Sequence, residues 1–170
     1  SECKFCRRKG DGLNLFYYTK LLKFSHTFIN PYSLQNTMSI GAKIAQIEYP
    51  AKSGKYKVAQ FYADGKPYLR FGNIVTDTSS DSQVSIVKRF ADEAGLKTIV
   101  DTSSIVRVLP ADDSFKIAGT GWCELDLEKK TAEYYGNSFN YGLRIDEKHL
   151  ELIKPFSQGI NNVHNSRRYS

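Results

Sequence analysis

The sequence predicts an α+β fold, a mostly antiparallel or mixed sheet with helices packed on its faces. Three features carry that reading. From Ile40 onward most of the chain alternates apolar and polar residues with the period of two that a half-buried strand requires. Only two stretches, near 80–95 and 146–154, keep apolar residues at helical spacing instead. The resulting order, β-β-β-α-β-β-β-α, lacks the regular alternation that builds parallel βαβ units.

Taken in order, Ala42–Tyr49 and Lys55–Ala63 read as extended runs, the first closing at Pro50 and the Ser53-Gly54 turn. Asp64-Gly65 is a hairpin turn signal between Lys55–Ala63 and Pro67–Val75. The polar stretch 76–81 leads to a helix in which Ser80 and Gln83 form a capping box. Val84, Val87, Phe90, Ala91 and Ala94 give that helix one apolar face, and Gly95 closes it. Thr98–Val100 and Ile105–Leu109 read as strands, followed by a turn at Pro110–Ser114 and a strand from Phe115. Asp146 caps a last helix, Glu147–Lys154, which Pro155 stops and which turns Leu150 and Ile153 inward. Residues 156–170 are polar, without periodicity, and read as a tail.

Charge divides the chain. Residues 1–47 hold seven Lys/Arg against Glu2 and Asp11, whereas 48–154 hold 15 basic and 16 acidic side chains. The basic ends therefore account for the net charge of +6. A near-neutral body argues against nucleic-acid binding by the core, even with eleven tyrosines and ten phenylalanines available to stack bases. No apolar run approaches the ~20 residues of a transmembrane helix. Residues 1–37 form a basic N-terminal extension, for which a leader, an upstream read-through and a docking arm are competing readings; Leu13–Phe24 within it suits a short helix or a presequence. The folded domain is expected over 38–156, beginning near Met38, with 157–170 as the C-terminal tail. Cys3-x-x-Cys6 is half a zinc knuckle, but a closed site needs two further ligands. Cys123, His26, His149 and His164 are unsuitably spaced, so no metal is assigned and the thiols are read as free, in a reducing compartment. Rossmann, P-loop, GxSxG and HExxH signatures are absent, and no cofactor is assigned.

The centre of the chain is Gly119–Gly142. Two alternating runs, Trp122–Leu127 and Thr131–Tyr135, flank a Glu128-Lys129-Lys130 corner and predict a hairpin. The second run enters Y-G-N-S-F-N-Y-G, a loop that offers a hydroxyl and several backbone N–H groups to an oxyanion. This stretch resembles the janus/phosphohistidine phosphatase family, in which a G-G-G-R-[I/V] strand start precedes Y-G-x-S-x-x-Y-G at about this spacing. Gly119, Gly121, Tyr135, Gly136, Ser138, Tyr141 and Gly142 fall on the pattern. The resemblance covers about residues 55–156, with an insertion near 98–114, and implies a six-stranded sheet between two helices.

It also implies where a phosphate would sit. A Lys on the first strand, an Arg on the second and the Ser loop correspond to Lys57, Arg70, and Ser138 with the backbone of Asn140. Two departures weigh against catalysis. The family's catalytic His lies between the second strand and the first helix, and residues 73–82 contain no histidine. Trp122 stands where the family has Arg. Asp77 and Asp81 could accept a proton, but an exposed Asp is a weak base at neutral pH. His149 reads as a solvent-facing helix residue. The expectation is a janus-fold protein without phosphatase activity, fastened to a larger assembly of proteins through 1–37 and 157–170, in an organelle such as the mitochondrion or in the cytoplasm. Active phosphohistidine or phospholysine hydrolysis, and contact of the basic arm with ribosomal RNA, are the alternatives.

Overall fold

The structure is a computed structural model of the chain and describes residues 44–76, 78 and 80–169. The arm at 1–37, with Cys3, Cys6 and His26, lies outside the described residues, as do Met38 and Asp77.

Strand β1 (Gly54–Ala63) pairs with β2 (Lys66–Ile74) through the predicted hairpin. Asp64 and Gly65 both take positive φ, 50° and 68°, the backbone twist that matches a two-residue turn to its strands. Helix α1 (Gln83–Ala94) starts two residues later than a Ser80 cap would place it. Ser82 is the N-cap, and its side chain accepts a hydrogen bond from the Ser85 N–H at 3.1 Å. Gly95 ends the helix in the left-handed conformation, as predicted. Ile86 joins the buried stripe, whereas Val84 lies only at its rim.

The chain continues through β3 (Thr98–Asp101), β4 (Arg107–Pro110), β5 (Phe115–Asp126), β6 (Thr131–Tyr135), α2 (Glu147–Ile153) and β7 (Asn161–His164). The sheet order is β2-β1-β5-β6-β7, antiparallel except for the parallel β6–β7 pair. β3 and β4 form a separate two-stranded antiparallel ribbon. The fold is thus α+β, but five strands plus a ribbon stand where one six-stranded sheet was expected. Of the run predicted at 42–49, residues 42 and 43 lie outside the described residues, and the remainder contributes one parallel bridge, Ile47 to Leu69, before Pro50. On β4 the outward main-chain groups of Val108 are taken by Tyr141, whose hydroxyl donates to the Val108 carbonyl and accepts from the Val108 N–H.

Residues 157–170 are more than a tail, because β7 completes the sheet edge. Asn161-Asn162-Val163-His164 has little strand propensity, and a polar network holds it instead. The buried Asn162 carboxamide accepts from Tyr49 (2.6 Å) and Tyr134 (3.0 Å) hydroxyls and donates to Ser157 Oγ.

Two cores lie on opposite faces of the sheet. Phe61 and Ala59 of β1 pack under α1, where the Phe61 and Phe90 rings stack at 4.1 Å. Tyr56 and Val58, the alternate β1 positions, pack with Leu150 and Ile153 of α2. Where residues 143–146 cross β5 towards α2, the sheet surface is bare glycine. A Cβ on Gly119 would lie 2.6 Å from the Arg144 carbonyl oxygen, and one on Gly121 would lie 2.5 Å from that of Tyr135. Two of the motif glycines therefore admit backbone. Among the described residues no helix is long and apolar enough to cross a membrane.

Candidate functional site: a lysine–tryptophan strip beside helix α1

Alternation along β1 puts Lys55 and Lys57 on the α1 face together with Ala59 and Phe61. Trp122 is the register partner of both Lys57 and Tyr135, so the three side chains form one row across β1, β5 and β6. The Lys55 ammonium lies 4.5 Å from the Trp122 ring centroid and 5.8 Å from that of Tyr135; the Lys57 ammonium lies 5.3 Å from Trp122. An indole face attracts cations, each contact contributing roughly 0.5–1 kcal/mol at an exposed site. An arginine at position 122 would instead repel both lysines. Gly136 makes room for the ring, since a Cβ there would come 2.8 Å from Trp122 Cδ1. Beside the strip, a groove of about 680 Å³ carries both signs of charge, with Glu124, Asp126, Glu128 and Glu133 facing Lys55 and Lys129.

Lys57 also donates to Ser80 Oγ at 3.3 Å, just before α1. The first turn of α1 contains no acidic residue, so its N-terminal partial positive charge adds to that of Lys57. The Asp81 carboxylate, one residue before the N-cap, opposes that charge in part, since Arg89 pairs with it at 2.6 Å.

Arg70 does different work. It shares the α1 face through its pairing with Ala59, but its guanidinium points along the helix to Glu93, with bonds of 2.9 and 3.2 Å. Its remaining donors reach the carbonyls of Ala45 (2.9 Å), Gln46 (3.2 Å) and Leu69 (3.0 Å). Arg70 therefore fastens α1 and the 45–46 segment to β2. The helix rises about 15 Å between Gln83 and Glu93, so Lys57 and Arg70 are anchored near opposite ends of α1.

The Y-G-N-S-F-N-Y-G loop is closed upon itself and bolted to the ribbon. The Ser138 N–H donates to Leu143 O (3.1 Å), and the Gly142 N–H donates to Ser138 O (2.9 Å). Ser138 is 1% exposed, and its buried hydroxyl makes no hydrogen bond among the described residues. Asn140 Nδ2 donates to Val106 O at 3.1 Å. Phe139 occupies the tip and is 84% exposed.

No known protein-family model matches the chain, and no curated protein matches it.

His149 overturns the expectation of a solvent-facing residue: it is fully buried. Its Nδ1 lies 3.2 Å from Gln60 Nε2 and its Nε2 lies 3.1 Å from Phe61 O. Gln60 Nε2 carries protons, so Nδ1 accepts and Nε2–H donates, which defines a neutral imidazole. Burial lowers its pKa, and hydrogen bonds and Asp146 oppose that shift. His164 pairs with Glu147 at 2.6 Å. Both described histidines are thus committed on the α2 side, away from Lys57. Asp81, the carboxylate offered as a base, pairs with Arg89 at 2.6 Å and accepts from the Asn73 N–H at 3.1 Å. The Cys123 thiol is buried, and desolvation pushes its pKa far up, which removes it as a nucleophile.

Sequence reasoning missed Lys55 and Tyr135 as partners of Trp122. The signal was available: Lys55 and Lys57 are two apart on one strand, and the hairpin register places Trp122 beside Tyr135.

Proposed function

We propose that this chain is a janus-like protein that binds without hydrolysing, a non-catalytic subunit that recognises an acidic or phosphorylated group of a partner in a larger assembly. The employment of Arg70 is the observation that carries this reading. The arginine to which the resemblance assigns phosphate is spent on Glu93 and three main-chain carbonyls, while Trp122 holds Lys55 and Lys57 over its ring. Positive charge without an adjacent titrating base suits capture of an anion better than its cleavage. Because β7 belongs to the sheet, fastening to an assembly falls to the strip and to residues 1–37.

Hydrolysis of phosphohistidine or phospholysine is the second reading, favoured by the position of Lys57 at the N-terminal end of α1. Phosphate release from such substrates by the full chain separates the two. The binding reading predicts no release above a Lys57→Ala control; turnover that the control abolishes would replace it with the hydrolase. Lys57 is the residue for this control, because loss of Arg70 would perturb the fold itself.

A further inference from the structure

Among the described residues the β3–β4 ribbon has one closed edge and one open edge. Ala111 N–H donates to Lys97 O at 3.1 Å, which makes Lys97, Ile99 and Asp101 the residues whose main chain bonds towards β4. Thr98 and Val100 then direct their N–H and C=O outward. The same parity sends the main chain of Val108 away from β3, where Tyr141 takes both groups. Among the described strands nothing pairs with the outer side of β3. That edge is apolar and exposed, with Ile99 53% and Val100 62% accessible. It carries no proline and no bulge; its protections are its four-residue length and the charges of Lys97 and Asp101 at its ends.

We propose that β3 pairs antiparallel with β3 of a second copy of this chain about a two-fold axis at Ile99, giving the continuous ribbon β4-β3-β3-β4. The segment Lys97-Thr98-Ile99-Val100-Asp101 is self-complementary in this register. Thr98 meets Val100 of the second copy and Val100 meets its Thr98, so the outward main-chain groups form two hydrogen-bonded pairs. Ile99 faces Ile99 at the non-hydrogen-bonded centre, where side chains approach most closely. On the same face Lys97 lies opposite Asp101 of the second copy, and Asp101 opposite its Lys97, so two ion pairs flank the apolar contact. Lys97 is exposed, and the Asp101 carboxylate accepts from Ser103 at one oxygen and pairs with Arg107 at the other, so Lys97 of the second copy joins an existing Arg107–Asp101 pair. The register closes on itself because Tyr141 blocks the β4 edge, so the contact yields a dimer and no filament. A two-stranded ribbon is marginal alone, and two further strands stabilise it.

The test uses the full chain with Cys3 and Cys6 replaced by Ser. Sedimentation should show a concentration-dependent dimer that Ile99→Lys converts to monomer with an unchanged far-UV circular dichroism spectrum. Under mild oxidation Ile99→Cys should cross-link into a covalent dimer, because opposed non-bonded strand positions bring Cα atoms to about 4.5 Å, within disulfide reach. Ser104→Cys, exposed but off the strand, should cross-link far more slowly. A chain that stays monomeric, one that grows without limit, or one whose Ile99→Cys variant links no faster than Ser104→Cys overturns the proposal. If Ile99→Lys unfolds, the cross-linking comparison decides alone.

Discussion

The carboxamide of Gln60 spans both main-chain polar groups of Asp146. Its Oε1 accepts from the Asp146 N–H at 2.7 Å and its Nε2 donates to the Asp146 carbonyl at 3.0 Å. This clasp joins the middle of β1 to the N-cap of α2, at the point where the chain leaves the Ser138 loop. It also fixes which way the amide points, and so decides the tautomer of His149. Replacing Gln60 by Leu strands a buried N–H and a buried imidazole acceptor. Urea denaturation should show a loss of about 2–4 kcal/mol, the penalty for one or two buried groups without partners.

Acid should attack the same place. The His149 pKa is lowered in the folded protein, so below its ordinary value of 6.5 the unfolded chain takes up a proton that the folded chain refuses. Stability contributed by this group is fully present above pH 6.5 and falls as the pH drops below it. Protonation would also set an Nδ1–H against the Gln60 NH₂. Asp146 and the edge-on Tyr62 ring are the titratable neighbours, and neither supplies a replacement acceptor at Nδ1. The urea midpoint of the wild type should therefore decline between about pH 7 and pH 5, and that segment should flatten in His149→Gln.

Arg70→Ala should act on stability. Loss of the Glu93 pair and of three carbonyl contacts predicts about 1–2 kcal/mol, after allowance for the exposed half of the ion pair. Lys57→Ala loses one exposed cation–π contact, so it should lower stability by no more than about 0.5–1 kcal/mol yet weaken anion binding. Equal effects of the two substitutions on stability would contradict the division of labour between these residues.

The motif glycines should separate into two kinds. Gly119→Ala drives a methyl to 2.1 Å from Gln60 Oε1 and into main chain at 2.6 Å, so it should unfold the protein or cost more than about 3 kcal/mol. Gly142 has φ +63° but open space around a Cβ, and its replacement by Ala should cost only about 1–2 kcal/mol of backbone strain. Thermal or urea unfolding of the pair reads the contrast directly.

Elements governed by local rules were legible in the sequence. The β5–β6 hairpin follows from alternation, the β1–β2 turn from Asp64-Gly65, and the α2 start from Asp146. What escaped depends on distant partners. β7 is held by Asn162 bonding to Tyr49 and Tyr134, so its polar sequence carries no strand pattern. His149 looked solvent-facing because the buried group that satisfies it, Gln60, lies 89 residues away. Lys57, Arg70, Ser138 and Asn140 were each identifiable as polar or basic motif residues. The direction of Arg70 depends on where Glu93 lands, and the closure of the Ser138 loop on the packing of the β3–β4 ribbon.

Trp122 is the only tryptophan in the chain, and it lies beneath the two lysines proposed to hold the anion. Titrating the full chain with a phosphohistidine peptide, while following Trp122 fluorescence and free phosphate together, therefore tests the central claim most directly. The account predicts a saturable fluorescence change that Lys57→Ala weakens, with phosphate released no faster than from the peptide alone. Phosphate release that follows binding, or a fluorescence signal indifferent to both peptide and Lys57, would contradict it.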